Sequence, residues 1–148
     1  MFYQRLVSLI EAHAEEMARQ VVSEASTNPR TPHIGRIPSD EMHRRAYDVY
    51  HNLGKWLGRQ AETAIEETYR KLGWKRAEEG IPLEEVVYGQ MLIKQHLRDF
   101  VRGSGLGDSA LDLYQEEELH RLVEQFFDWA IYYTVKGYGE VTARPRTP

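Results

Sequence analysis

The chain has 148 residues, 41% hydrophobic and 28% charged, with a formal net charge of -4; that suffices for one domain with a real core. Its acidic and basic residues are interleaved, which excludes the clustered positive charge that nucleic acid demands. Its lack of cysteine excludes disulfides, thiolate metal sites and thiol nucleophiles together.

Apolar residues recur at helical spacing in five segments, and no segment alternates with period two. In the first, Leu6, Ile10, His13, Met17 and Val21 share one face. No apolar run reaches the roughly eighteen residues of a membrane span. The start, MFYQRLVSLIEAHAEE, turns acidic too early for a signal peptide and lacks its small-residue cleavage site. A soluble, cytoplasmic protein is expected. TNPRTPHIGRIP, from Thr27 to Pro38, holds three prolines and reads as a loop, because proline lacks a backbone donor and disfavours helix in the residue before it. Ser39 is the expected N-cap of a second helix, with Asp40 and Glu41 favourable in its first turn. Its stripe is Met42, Ala46, Val49, Leu53 and Trp56.

Beyond Gly58 a third segment has a sparse apolar face of Ala61, Ile65, Tyr69 and Leu72. It is expected to be the least buried helix, bent or broken at Gly73. Gly80 is placed to close it in the left-handed conformation. Pro82 then presets entry to a fourth helix, Glu84 and Glu85 lie at its positive dipole end, and Ile81 and Val86 occupy the positions of a hydrophobic staple. The core face of this helix is Val86, Gly89, Ile93, Leu97 and Phe100, opposite Glu84, Tyr88, Met91, Gln95, Arg98 and Arg102. GSGLGDS supplies a turn. The last helix, from Ser109 to Lys136, carries the densest stripe (Leu119, Leu122, Val123, Phe126, Ala130, Tyr133) and is the expected central helix, ended by Gly137 and Gly139. Residues 1–140 thus read as one all-α domain and 141–148 as a tail or linker stub.

No pattern supports a reaction centre. Asp40 with His43, and Glu117 with His120, have the spacing used in di-iron bundles, but such a centre needs two further inward glutamates. Glu117 and His120 also point roughly 160° and 100° away from the Leu119 seam at about 3.6 residues per turn. No serine lies in a Gly-x-Ser-x-Gly context. GSGLGDS lacks both the Gly-Lys-Ser/Thr ending and the preceding strand of a phosphate loop. His13, within the first stripe, and His96, at the edge of the fourth helix's core face, are candidate haem ligands if the helices pack as in a globin. The competing reading of each is a histidine satisfied by a neighbouring carbonyl or side chain. No catalytic residue, metal or cofactor is therefore expected, with haem held by His96 or His13 as the alternative. Tyr88 and Met91 on a polar face, with Phe127, Tyr132 and Tyr138 off the best core stripes, are the candidate dimer or partner contacts.

Three blocks carry a family resemblance: TYRKLGWKRAEEGIPLEEVVYGQMLIKQHLRDF, ALDLYQEEELHRLVEQFFDWAIYYTVKGY and, more faintly, the N-terminal helix and loop. The chain resembles the N-terminal domain of RsbR-type co-antagonists of the RsbT kinase, also found at the front of some bacterial sensor kinases. Gly73, Arg76, Gly80, Pro82, Leu83, Glu85 and Val86 match its turn motif. Phe126, Phe127, Asp128, Tyr132, Tyr133, Gly137 and Tyr138 match its closing helix. The resemblance implies a globin-like bundle of five to six helices that binds no haem, dimerises, and acts as a sensory input in stressosome-like assemblies. In that family the domain usually precedes a STAS domain or a kinase. The sequence given ends at ARPRTP without one and is read as a fragment or a stand-alone sensor. A non-enzymatic homodimeric signal-input domain with a downstream signalling partner is expected. A haem-binding gas sensor and a helical protein–protein adaptor are the rivals.

Overall fold

The first apolar stripe folds as two helices, α1 (Gln4–Ala12) and α2 (Ala14–Thr27). They part at His13, whose N–H bonds Ile10 O, three residues back, while its ring Nδ1 lies 2.9 Å from Leu9 O. Leu6, Val7 and Ile10 on one side of the break, and Ala14, Met17, Ala18 and Val21 on the other, still enter one core. His13 itself is exposed, so the expected continuous stripe through it is corrected: it sits at the corner, where its ring satisfies a freed carbonyl. The computed structural model describes residues 3–59, 61–104 and 109–143.

The proline-rich loop leads through a short 3-10 turn, Ile34–Arg36, into α3 (Ser39–His51). Pro38, not Ser39, is the N-cap, and its extended backbone starts the helix without a side-chain bond. The second expected stripe also divides, at Asn52, into α3 and the short α4 (Leu53–Trp56). The Asn52 side chain bonds Asp48 Oδ1 at 2.9 Å, and Gly54 N donates to Glu11 Oε2 at 3.1 Å. The latter bond ties α4 back to α1.

α5 (Glu62–Glu78) runs unbroken through Gly73, and α7 (Ala110–Thr142) runs unbroken through Gly137. Neither glycine ends a helix, because both lie where the two helices touch backbone to backbone. A Cβ on Gly73 would stand 2.2 Å from Thr134 O, and one on Gly137 2.2 Å from Arg70 O. Far from being the least buried helix, α5 buries Ile65, Tyr69, Leu72, Gly73 and Arg76 as a single stripe. Beside the crossing, Arg70 reaches Glu140 through Nε at 3.1 Å and Nη2 at 2.6 Å, and Trp74 Nε1 donates to the same carboxylate at 3.1 Å.

The α5–α6 turn follows the sequence expectation. Gly80 has φ +74°, Gly80 N bonds Ala77 O and Ile81 N bonds Arg76 O, the pair of bonds that defines a Schellman ending. Pro82 caps α6 (Leu83–Gly103), and Ile81 and Val86 are buried together with Ala25, Ile34 and Leu92 in a small second core. Ser109 caps α7, accepting from Asp112 N at 3.0 Å. The thirty-three residues of α7 span about 50 Å and bury Leu119, Val123, Phe126, Phe127, Ala130 and Tyr133 in the main core. The helix reaches past the expected domain end at 140, while the centre of the glycine-rich turn, 105–108, and the rest of the expected tail lie outside the described residues. Among the described residues every regular element is helical, and no helix is long and apolar enough to cross a membrane.

Since the atoms facing Gly73 and Gly137 are backbone, they cannot move aside independently of the helices. Gly137→Ala and Gly73→Ala are each expected to lower stability by about 3 kcal/mol in urea unfolding. Gly89→Ala, where a Cβ meets nothing within 4 Å, serves as control and is expected to be neutral or to gain up to about 1 kcal/mol. Equal effects at the three positions contradict the close crossing.

Candidate functional site

Where α3, α5, α6 and α7 converge, the packing leaves a cavity of ≈ 340 Å³. Its apolar wall is Val49, Leu72, Ile93, Phe127 and Ala130, and its polar groups include Arg45, Asp48, Tyr69 and Gln90. A small extension shares Arg45, Leu72, Gln90 and Ile93 and reaches Arg76 and Val86. Gln90 lies on the stripe of Val86, Ile93 and Leu97 and is 5% exposed. Its Nε2 donates to Thr134 Oγ1 at 2.8 Å, and that hydroxyl donates to Ala130 O at 2.7 Å. Gln90 Oε1 is buried with no partner. Burial pushes the Tyr69 hydroxyl well above its ordinary value, with Asp48 adding to the effect.

A charged cluster flanks the cavity. Arg76, 2% exposed, lies 3.3 Å from Glu41 Oε1 and 2.7 Å from Glu79 Oε1, and Lys75 Nζ lies 2.5 Å from Glu41 Oε1. Burial pushes the Glu41 carboxyl up, but the Lys75 hydrogen bond and the charges of Arg76, Lys75 and Arg45 outweigh it and leave the group below its ordinary 4.5. Arg45 is pushed down by burial and then by the like charge of Arg76.

On the far side of the Gly80 turn, Glu85 anchors the proline-rich loop. Its Oε1 accepts from His33 N at 2.8 Å and Ile34 N at 3.1 Å, and His33 Nδ1 lies 2.5 Å from Oε2. Here too burial raises the carboxyl, while the bonds from Ile34 and His33 prevail and hold it below 4.5.

The expected contact residues do not share one surface. Met91 is 46% and Tyr132 54% exposed, whereas Phe127 is 2% exposed and stacks edge-on against Phe126 at 5.0 Å. Phe127 is thus a core residue, because the inward face of α7 is broad enough to take both neighbouring phenylalanines. Tyr88 is half-buried against the second core and accepts from Asn28 Nδ2 at 3.4 Å. The Tyr138 hydroxyl donates to Ile81 O at 2.7 Å. His96 Nε2 lies 2.7 Å from Glu24 Oε2, and neither His96 nor His13 lines the cavity. Among the described residues no group of three His, Asp or Glu side chains is disposed to hold a metal. Sequence reasoning passed over Arg45 and Gln90. The signal was there, since Arg45 falls between Met42 and Val49, and Gln90 four residues after Val86, each a polar residue within a buried stripe.

Over residues 8–147 the sequence matches the family described as the RsbT co-antagonist protein rsbRD N-terminal domain. The chain belongs to that family of regulatory co-antagonist domains. No curated protein and no solved structure gives a significant match. The residues that carry the earlier resemblance have structural work to do: Gly73 and Gly137 set the helix crossing, Gly80 closes the turn, and Arg76 and Glu85 are its two buried charges.

Removing the Glu85 carboxylate strands two backbone donors. Glu85→Ala is expected to lower stability at neutral pH by about 1–3 kcal/mol. Because the folded pKa is depressed, the wild-type contribution is complete above the unfolded value near 4.5 and is lost as pH falls below it through the folded value. The variant is therefore expected to lose less stability than wild type on acidification below that point, as read by denaturant unfolding at stepped pH. A parallel acid dependence in the two proteins contradicts this role.

Proposed function

We propose that this chain is a non-enzymatic signal-input domain that works as a homodimer in a bacterial stress-response or two-component pathway of the cytoplasm. The family's description supports a regulatory role opposite an RsbT-type partner, and a downstream signalling protein or domain is the output. The helical order, with a long final helix at the centre, supports a globin-like arrangement. The reading needs no nucleic acid, membrane or haem. The pairing of His96 with Glu24, and of His13 with Leu9 O, supports the haem-free form.

The observation that carries the homodimer is the row α7 leaves uncovered. Trp129, Tyr132 and Val135 are exposed at steps of three, with Leu111, Leu113 and Tyr114 exposed near the start of the same helix. Trp129 and Tyr132 meet edge-on at 5.9 Å, which offers a flat, stiff aromatic surface. A two-fold contact presents the same patch on both subunits, so one such row serves each side, and aromatic anchors dominate interface energetics.

Sedimentation equilibrium tests it. The wild type is expected to dimerise, and Tyr132→Arg combined with Val135→Arg to raise the dimer Kd at least about tenfold with unchanged helical circular dichroism. A monomeric wild type, or a variant that dimerises equally well, removes the proposal. Added haem is expected to give no protein-bound Soret band. A band abolished by His96→Ala replaces this reading with that of a haem sensor.

A further inference from the structure

Around the ≈ 340 Å³ cavity, three polar groups make no hydrogen bond or ion pair with the protein among the described residues. Gln90 Oε1 is buried without a bond. Its identity as an acceptor follows from its neighbour: the Thr134 hydroxyl spends its proton on Ala130 O, so only the NH2 of the amide can complete the contact to Thr134 Oγ1. The reverse orientation sets two acceptors against each other. Arg45 is the second group. Among the described residues no carboxylate lies within ion-pair distance of it, although the neighbouring Arg76 has two. The Tyr69 ring is buried on the cavity wall, and no hydrogen bond from its hydroxyl is present among the described residues.

The remaining charges at the wall are Arg44 and Asp48. Asp48 accepts from Asn52 Nδ2, and Glu41, whose charge also acts on Arg45, is already paired with Lys75 and Arg76; with two arginines facing one aspartate on the wall, the lining favours an anion. An inorganic anion answers Arg45 but leaves the hydrocarbon of Val49, Leu72, Ile93 and Phe127 bare and the amide acceptor unpaired. A wholly apolar molecule leaves both Arg45 and the Gln90 acceptor without a partner. The volume lies at the lower end of the range of small-molecule sites, about 300–1,000 Å³.

We propose that this cavity binds a small organic carboxylate with an apolar body and a hydroxyl or N–H donor, the carboxylate facing Arg45 and the donor facing Gln90 Oε1. The assignment rests on the signal-input reading and deepens it by naming the chemical class of the signal. Arg45 belongs to α3, Gln90 to α6, and Phe127 and Ala130 of the same wall to α7. A ligand spanning those helices favours whichever packing matches its length, and moves the equilibrium by that difference in affinity.

Calorimetric titration of the full chain with para-hydroxyphenylpropanoate, its methyl ester, phenylpropanoate and the matching medium-chain hydroxyalkanoates and esters tests the proposal. The acids are expected to bind at least about tenfold tighter than their esters, and the hydroxy acids about fivefold tighter than those lacking the hydroxyl. Arg45→Met abolishes the first ratio and Gln90→Leu the second. Circular dichroism identifies a variant that fails to fold, and the two wild-type ratios decide the matter without any variant. Acids and esters that bind alike, or no acid of the panel bound below about 1 mM, overturns the assignment. Ratios absent from an intact dimer sink this inference alone, and ratios intact in a monomer sink only the α7 homodimer.

Discussion

The contact between the backbones of α5 and α7 is the constraint on which the rest depends. Gly73 and Gly137 let Thr134 O and Arg70 O come within 2.2 Å of where a Cβ would stand. No side chain separates the helices there, so their spacing is fixed by main-chain atoms. Side chains repack with modest strain, but two hydrogen-bonded helical backbones do not. Once this pair is set, Arg70 reaches the Glu140 carboxylate that Trp74 also bonds, and the Tyr138 hydroxyl falls onto Ile81 O. The end of α7 is thereby fastened to the turn that begins α6.

That turn is a second organising point, because besides the two helices it joins it is tied to α3, to α7 and to the proline-rich loop. The Arg76 carbonyl accepts the Ile81 N–H of the Schellman ending, and the Arg76 guanidinium holds Glu41 of α3. Four residues beyond Ile81, Glu85 gathers two N–H groups of the proline-rich loop. Buried charges of this kind add little net stability over a hydrocarbon replacement, but removing one partner is strongly unfavourable. Their physical role is therefore to specify which elements meet, and the pairs on either side of Gly80 specify different ones. The family match over residues 8–147 covers both charges and all three glycines. Within that span these charges and glycines join helices to one another.

The same assembly leaves the cavity lined by Arg45 and Gln90. Its walls come from four helices, and one of them, α7, also carries the exposed row from Trp129 to Val135. Phe127 faces the cavity, while Trp129 and Tyr132 face outward a few residues further along. On the proposed reading, occupancy inside and association outside are thus two faces of one rigid helix, with no intervening loop to absorb a displacement.

Local chemistry that completes itself within a few residues was legible from the sequence. The Gly80 closure, the Pro82 entry with its Ile81–Val86 staple, the proline-rich loop and the main stripe of α7 read correctly, because proline geometry, left-handed glycine and helical periodicity act between near neighbours; on α6 Val86, Ile93 and Leu97 are buried as expected, but Gln90, Leu92 and Val101 take the places expected of Gly89 and Phe100. The corners at His13 and Asn52 did not, since the apolar spacing continues across each break and only packing against other helices requires the bend. Gly73 and Gly137 read as helix breakers because glycine is costly in an isolated helix; what reverses the sign is the partner backbone, some sixty residues away in the chain. Arg76, Glu85 and Gln90, which are buried, and the half-buried Arg45 were visible as polar residues near apolar stripes, yet their partners, or the absence of one, exist only after folding. By itself the sequence determined an all-helical chain, its strongest turn and its family. The tertiary structure alone decided which glycines are contacts, which charges are buried in pairs and where an arginine without an ion pair and an amide oxygen without a donor face a common cavity, because each of these depends on atoms brought together from distant parts of the chain.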